Sequence, residues 1–155
     1  MADTLKKLVH NDDNVNVTTF FRLDRGDEFV DHHCFFFFEG PKYHVHHSSF
    51  ETHDFDAQVL GHDWLRQNGY ENCWGVGRHV MGSQIFDYWF DPARFILEHY
   101  VDGDLLDQSE PTHHTKAGPD SLHVWGTLHS HSLFSVWTIV LIVLLGPELP
   151  PTFLL

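Results

Sequence analysis

Fifteen histidines and 22 acidic side chains in 155 residues make imidazole and carboxylate the reactive groups of this chain. Imidazole is the usual nitrogen ligand of transition metals and the usual acid–base group near neutral pH. The histidines are scattered and never exceed two in a row, so they are not a tag. Three positions combine residue type with context. His47 sits in an alternating segment, on the same face as Val45, Ser49 and Glu51. His79 follows Gly75 and Gly77 and precedes Gly82, in a stretch that reads as a flexible loop. Glu98 follows Phe95, Ile96 and Leu97, and a carboxylate in such a strand is costly to bury unless something pairs with it. Taken singly, each also has an ordinary reading, as an exposed edge carboxylate or a surface histidine.

The elements that must position these residues follow from periodicity. Residues 15–23 are rich in β-branched and aromatic side chains, which suits a strand. Residues 29–38 read as a second strand, ending in Phe35, Phe36, Phe37 and Phe38, and residues 43–52 as a third. Asp54 or Asp56 caps a predicted helix over 57–68, with Ala57, Leu60, Trp64 and Leu65 at helical spacing and Gly69 as the stop. Residues 71–76 read as a short strand or turn, and 83–90 and 95–101 as two further strands, the last with Ile96, Glu98 and Tyr100 on one face. From 43 to 101 the order is strand, helix and two or three strands, preceded by roughly two strands. This is an α+β pattern in which the earlier half of a βαβββ pair has lost its helix. Residues 102–121 are polar and turn-rich.

Composition narrows the function classes. One domain fits 155 residues, and 42% hydrophobic residues allow a real core. Nine Lys and Arg against 22 Asp and Glu leave a formal charge of −13, the opposite of a nucleic-acid footprint and unfavourable for an anionic membrane surface. The polar start of the chain does not resemble a signal peptide. Cys34 and Cys73 are too few for a disulfide framework, so both read as free thiols in a reducing, cytoplasmic setting. The apolar run 133–145 is 13 residues, short of the roughly 20 that span a bilayer as a helix.

The ordered set His46-His47-Ser48-Ser49-Phe50-Glu51, Gly77-Arg78-His79, Phe86-Asp87-Tyr88-Trp89-Phe90-Asp91-Pro92 and Leu97-Glu98-His99-Tyr100 resembles the catalytic domain of the type I extradiol ring-cleavage dioxygenases. These are catechol 2,3-dioxygenase-like members of the vicinal oxygen chelate (glyoxalase/bleomycin-resistance) superfamily. The resemblance runs over residues 17–126. It implies a fold of paired βαβββ modules, with the first incomplete. It makes His47 and Glu98 ligands of a non-haem Fe(II), or Mn(II), and His79 and Tyr88 groups that hold the catechol oxygens. His32, 15 residues before His47, falls at the family's acid–base histidine, and the adjacent His33 stays open for the same role. Two imidazoles and one carboxylate on one face of Fe(II) leave positions for a catechol and dioxygen. The ion lowers the catechol pKa, and a nearby histidine takes the second proton. The implied partners are an aromatic diol and dioxygen, in aromatic catabolism; oligomeric state stays open. Two other readings remain: a non-catalytic small-molecule- or metal-binding module, and a glyoxalase-like enzyme, which the His79–Tyr88 pair suits less well.

The chain departs from the family at both ends. The resemblance asks for a first histidine ligand on the opening strand of the preceding module, but only 46 residues precede His47, and His10 is the sole histidine upstream of the 32/33 pair. Residues 1–16 read as loose. Residues 127–155 read as an atypical apolar tail, in which 127–145, foreign in composition, reads as a retained intron between Gly126 and Gly146, with a membrane-associating tail as the rival reading of 133–145. A run of this kind adds exposed apolar surface and favours self-association. Deleting 127–145 is expected to raise solubility and leave ligand binding unchanged, as read by light scattering and a binding titration. Loss of cooperative unfolding on deletion would place the segment in the native core.

Overall fold

The computed structural model describes residues 7–10, 16–39, 42–118, 121–126 and 138–139. The elements in chain order are β1 (Lys7–His10), β2 (Asn16–Phe21), β3 (Val30–Asp31), β4 (Phe35–Phe38), β5 (Lys42–Tyr43), β6 (His47–Glu51) and α1 (Phe55–Gln67). Then follow β7 (Asn72–His79), β8 (Ile85–Phe90), β9 (Ile96–Val101), β10 (Leu105–Leu106), β11 (His114–Lys116), β12 (His123–Gly126) and β13 (Thr138–Ile139). The run β6-α1-β7-β8-β9 is a complete βαβββ unit. Its five-stranded sheet has the order β12-β7-β8-β9-β6, with β6 parallel to β9 and the other neighbours antiparallel. The second large sheet has the order β11-β1-β2-β4. Among the described residues ahead of β6 there is no helix, as the pattern predicts for an incomplete first module. Of the segment 127–155, only β13 is described, paired in parallel with β5. The proposed boundary at residue 16 likewise falls among residues largely outside the description.

Helix α1 begins where Asp54 accepts the Ala57 N–H on its side chain at 2.7 Å, the expected N-cap. It stops before Gly69, whose φ of 79° lies in the left-handed region that glycine enters freely. The face it buries differs from the expected apolar stripe. Leu60 and Trp64 are 70% and 57% exposed, whereas Gln58 is 1% exposed. The sheet beneath explains the reversal. Asp87, fully buried on β8, takes hydrogen bonds from His62 Nδ1 at 3.1 Å, Asn72 Nδ2 at 3.0 Å and Trp89 Nε1 at 2.6 Å. Gln58 Nε2 donates to the Ile85 carbonyl at 3.0 Å. A buried carboxylate and free carbonyls need donors, so the polar side of the helix turns inward.

Three strand boundaries also differ. The segment 29–38 is broken at 32–34, where His32 N–H donates to Asp104 and Cys34 N–H to Phe21. The expected strand 43–52 is split into β5 and β6. The stretch around His79, expected as a flexible loop, is instead the end of the long strand β7. Its glycines serve close approach: a Cβ at Gly77 would lie 2.5 Å from the Phe86 ring and 2.8 Å from the Trp125 carbonyl. Only hydrogen fits between β8 and β12 there. The polar stretch 102–121 contributes β10 and β11.

The core of the five-stranded sheet is Cys73, Trp74, Phe86 and Tyr88, with Trp74 stacked on Tyr88 at 5.6 Å and 11°. A second cluster centres on Phe36 with Phe20 and Phe38, between β2 and β4. Phe36 packs on the His47 ring at 5.5 Å and thereby links the two sheets.

The inverted helix face has a direct test. Leu60→Lys is expected to change stability by less than about 0.5 kcal/mol, as for an ordinary surface site. Asp87→Ala, which strips the acceptor from the buried Trp89 and from the half-buried His62 and Asn72, is expected to cost about 3 kcal/mol in urea unfolding.

Candidate metal and substrate site

Strand register brings distant residues into one row. In the parallel β6–β9 pair Ser49 stands opposite Glu98, and in the antiparallel β8–β9 pair Tyr88 stands opposite Glu98. His47, two residues before Ser49, shares its face. All four are buried, and His79 arrives from the end of β7. Glu98 Oε2 lies 3.3 Å from His47 Nε2, and Oε1 lies 3.5 Å from His79 Nε2. The Ser49 hydroxyl donates to Oε2. His79 Nε2 is 2.9 Å from the Tyr88 hydroxyl, and its Nδ1–H donates to the Leu122 carbonyl at 2.8 Å.

The electrostatics follow from burial among imidazoles. Burial pushes Glu98 toward protonation, but hydrogen bonds from His47 and His79 and their charges outweigh it and hold the carboxyl well below its ordinary range. Burial, joined by the charge and hydrogen bonding of Glu98, raises the Tyr88 phenol well above its usual value, so it stays a donor. Asp87, on the opposite face of β8, is raised mainly by burial despite its donors.

His32 and His33 are both buried, with their Nδ1 atoms 2.9 Å apart. They face different surroundings. His32 lies against Gly82, where an added Cβ would meet its ring at 3.1 Å. The His33 ring packs on Phe20 at 4.7 Å and on Phe36 at 6.3 Å. Burial first, then the neighbouring His32, hold His33 well below the usual imidazole value, and it also feels the charges of Glu98, His79 and His47.

Two residues without a sequence-based role belong to this site. Ser49 bonds Glu98, and His46 Nδ1 sits 2.7 Å from His47 Nδ1, which leaves His47 Nε2 turned to the carboxylate. The period-2 pattern placed Ser49 on the His47 face; the parallel pairing that brings it to Glu98 has no local signal.

His47 Nε2 and Glu98 Oε2 form a nitrogen–oxygen donor pair of the kind that suits a divalent first-row metal. A third ligand is missing from it. Among the described residues no group of three or more His, Cys, Asp and Glu side chains is arranged to hold a metal ion. His10 ends β1 in the other sheet, beside Asn16 and Lys116, and its side chain lies outside the description. The described residues therefore match two positions of a two-histidine, one-carboxylate set and do not complete it.

No family model matches the sequence. The chain is 31% identical over 114 residues to metapyrocatechase 2 of Cupriavidus necator, covering 66% of this chain and 35% of that protein. It thus spans about a third of the curated relative's length. Homoprotocatechuate 2,3-dioxygenase from Arthrobacter globiformis superposes with a TM-score of 0.72 at 19% identity, over 90% of this chain and 42% of its own. The substrate complex of the Brevibacterium fuscum enzyme with 3,4-dihydroxyphenylacetate gives 0.68 at 16%, over 88% and 42%. A Mn(II)-bound glyoxalase from Novosphingobium aromaticivorans gives 0.66 at 22%, over 83% and 42%. The fold is the vicinal oxygen chelate fold, with one module incomplete, and the resemblance to catechol 2,3-dioxygenases read from the motifs agrees with the curated relative.

The depressed His33 value fixes a sign for the pH dependence of stability. Between its folded value and about 6.5 the unfolded chain binds a proton that the folded chain refuses. The contribution is therefore present above about pH 6.5 and is lost as pH falls below it, at up to about 1.4 kcal/mol per pH unit for one group. Urea unfolding from pH 7.5 to 5 is expected to show this slope, and His33→Gln to reduce it by about one proton.

Proposed function

We propose that this chain carries part of the catalytic domain of an Fe(II)-dependent extradiol dioxygenase that opens the ring of a catechol. The observation that supports it most is the buried His47–Glu98 pair, with the His79–Tyr88 hydrogen bond on the other oxygen of the same carboxylate. The likeness to metapyrocatechase 2 supports the substrate class. His47 and Glu98 serve as two metal ligands, with Fe(II) preferred over Mn(II). Among the described residues no third donor joins them, and His10 or a second subunit is the candidate source.

The roles of the remaining side chains rest on their protonation. Tyr88 keeps its proton and can donate to a catechol oxygen once substrate displaces it from His79. His79 is held by the Leu122 carbonyl and presents Nε2 to the same place. His32 is the candidate to take a catechol proton, and the adjacent His33, bonded to it and kept neutral by burial, has a lone pair for the same step. Phe20 and Phe36 form the apolar wall behind His33.

Neither Cys34 nor Cys73 forms a disulfide, which fits the cytoplasmic setting proposed for the protein. No helix among the described residues is long and apolar enough to cross a membrane. The incomplete ligand set favours a second reading, in which the chain binds a small molecule or metal without turnover.

Anaerobic Fe(II) titration of the full chain tests the site. Weak binding is expected, with His47→Ala and Glu98→Gln each losing at least tenfold in affinity, since each removes one of two donors. Unchanged affinity in both variants would overturn the assignment. Adding catechol and air then separates the readings: a yellow ring-opened product supports the dioxygenase, and bound iron without product supports the non-catalytic module.

A further inference from the structure

Two turns meet at His32, and one side chain ties them together. Among the described residues three that are not glycine have a positive φ: Ser83 at 55°, Arg94 at 70° and Asp102 at 58°. This left-handed region crowds the Cβ of an L-residue, so such positions persist where neighbouring bonds hold them. Arg78, on β7, bonds two of the three. Its Nη1 donates to the Ser83 carbonyl and its Nη2 to the Asp102 carboxylate, both at 2.6 Å. A guanidinium carries a fixed charge and a rigid fork of donors, so it sets the spacing of the two acceptors it joins.

The turns so joined carry His32. Gly82 precedes Ser83, and Asp104 lies two residues after Asp102. Asp104 N–H donates to the Gly82 carbonyl at 2.8 Å, and His32 N–H donates to the Asp104 carbonyl at 2.9 Å. The His32 ring lies on Gly82, where an added Cβ would stand 3.1 Å from both its Cγ and its Nδ1. Backbone and ring of His32 thus both rest on turns whose relative placement Arg78 fixes. The Asp102 side chain is 67% exposed, so its ion pair with Arg78 adds little to global stability. What the guanidinium supplies is local geometry.

We propose that Arg78 is a positioning residue for His32, an inference that rests on the reading of His32 as the group that takes a catechol proton. Residue-by-residue amide hydrogen exchange of the full chain, followed by NMR, tests it. Arg78→Gln is expected to speed exchange at His32 and Asp104 at least about tenfold and to shift the His32 imidazole signals, with the amides of β9 staying within about twofold of the parent chain. Asp102→Asn keeps a residue type that tolerates a left-handed φ and removes the charge. It should give a smaller change in the same direction, about threefold, which keeps the test decisive if Arg78→Gln does not fold. Arg66→Gln, which breaks the surface pair with Asp63, should leave His32 unchanged. Exchange at His32 and Asp104 within about twofold of the parent chain, a rise shared equally by β9, or the same rise in Arg66→Gln would each overturn the proposal. These signals do not depend on turnover, so a chain that shows them and yet fails to open catechol overturns the dioxygenase reading and not the placement of His32 by Arg78.

Discussion

A carboxylate buried in the middle of a β-sheet is the constraint on which the rest of this structure depends. Glu98 is 6% exposed, and without partners it would be neutral or the sheet would open. Three strands answer it: β6 brings His47 and Ser49, β7 brings His79, and β8 brings Tyr88 to within reach of His79. Each partner is then held by something else. His46 backs His47, the Leu122 carbonyl fixes His79, and Trp74 stacks under Tyr88. The result is a carboxylate that stays ionised inside the protein, ringed by groups that accept or donate protons at defined atoms. Such an arrangement costs stability relative to an apolar core of the same volume, which is typical of sites retained for chemistry.

The opposite face of the same sheet repeats the problem with different partners. Asp87 is adjacent in sequence to Tyr88 and points the other way, toward α1. His62, Asn72 and Trp89 supply its hydrogen bonds, and Gln58 satisfies the Ile85 carbonyl beside it. These demands outrank the hydrophobic pattern of the helix. Exposing Leu60 and Trp64 forgoes about 25 cal/mol per Å² of apolar burial, whereas leaving a buried carboxylate without donors costs several kcal/mol. Strand β8 therefore carries consecutive polar residues into two separate interiors, and each interior sets the orientation of an element packed on it.

Much of this organisation was legible in the linear sequence. The cap at Asp54, the stop at Gly69 and the alternation over β8 and β9 are local features, and all lie close to where their patterns place them. Local rules misread the parts governed by distant neighbours. Gly75 and Gly77 look like parts of a flexible loop, yet they sit in a strand where Asp87 at Gly75, and the Phe86 ring and Trp125 carbonyl at Gly77, approach too closely for any side chain. The stretch at 29–38 looks like one strand, yet the backbone at His32 and Cys34 bonds to two different partners, Asp104 and Phe21.

The sequence by itself determined which groups were available: an excess of imidazole and carboxylate, a complete βαβββ unit, and the positions of His47, Tyr88 and Glu98 on its strands. Those features depend on residue type and on periods of two and 3.6, which a chain carries along its own length. Only the tertiary structure decided that β6 pairs in parallel with β9, which brings Ser49 to Glu98 across 49 residues. It also decided that His33 is buried where it feels the charges of the Glu98 cluster, and that Arg22 is buried with an unmet donor. The physical reason is the same in each case. Burial and hydrogen-bond partnership are properties of what surrounds a side chain, and those surroundings come from segments far away in sequence.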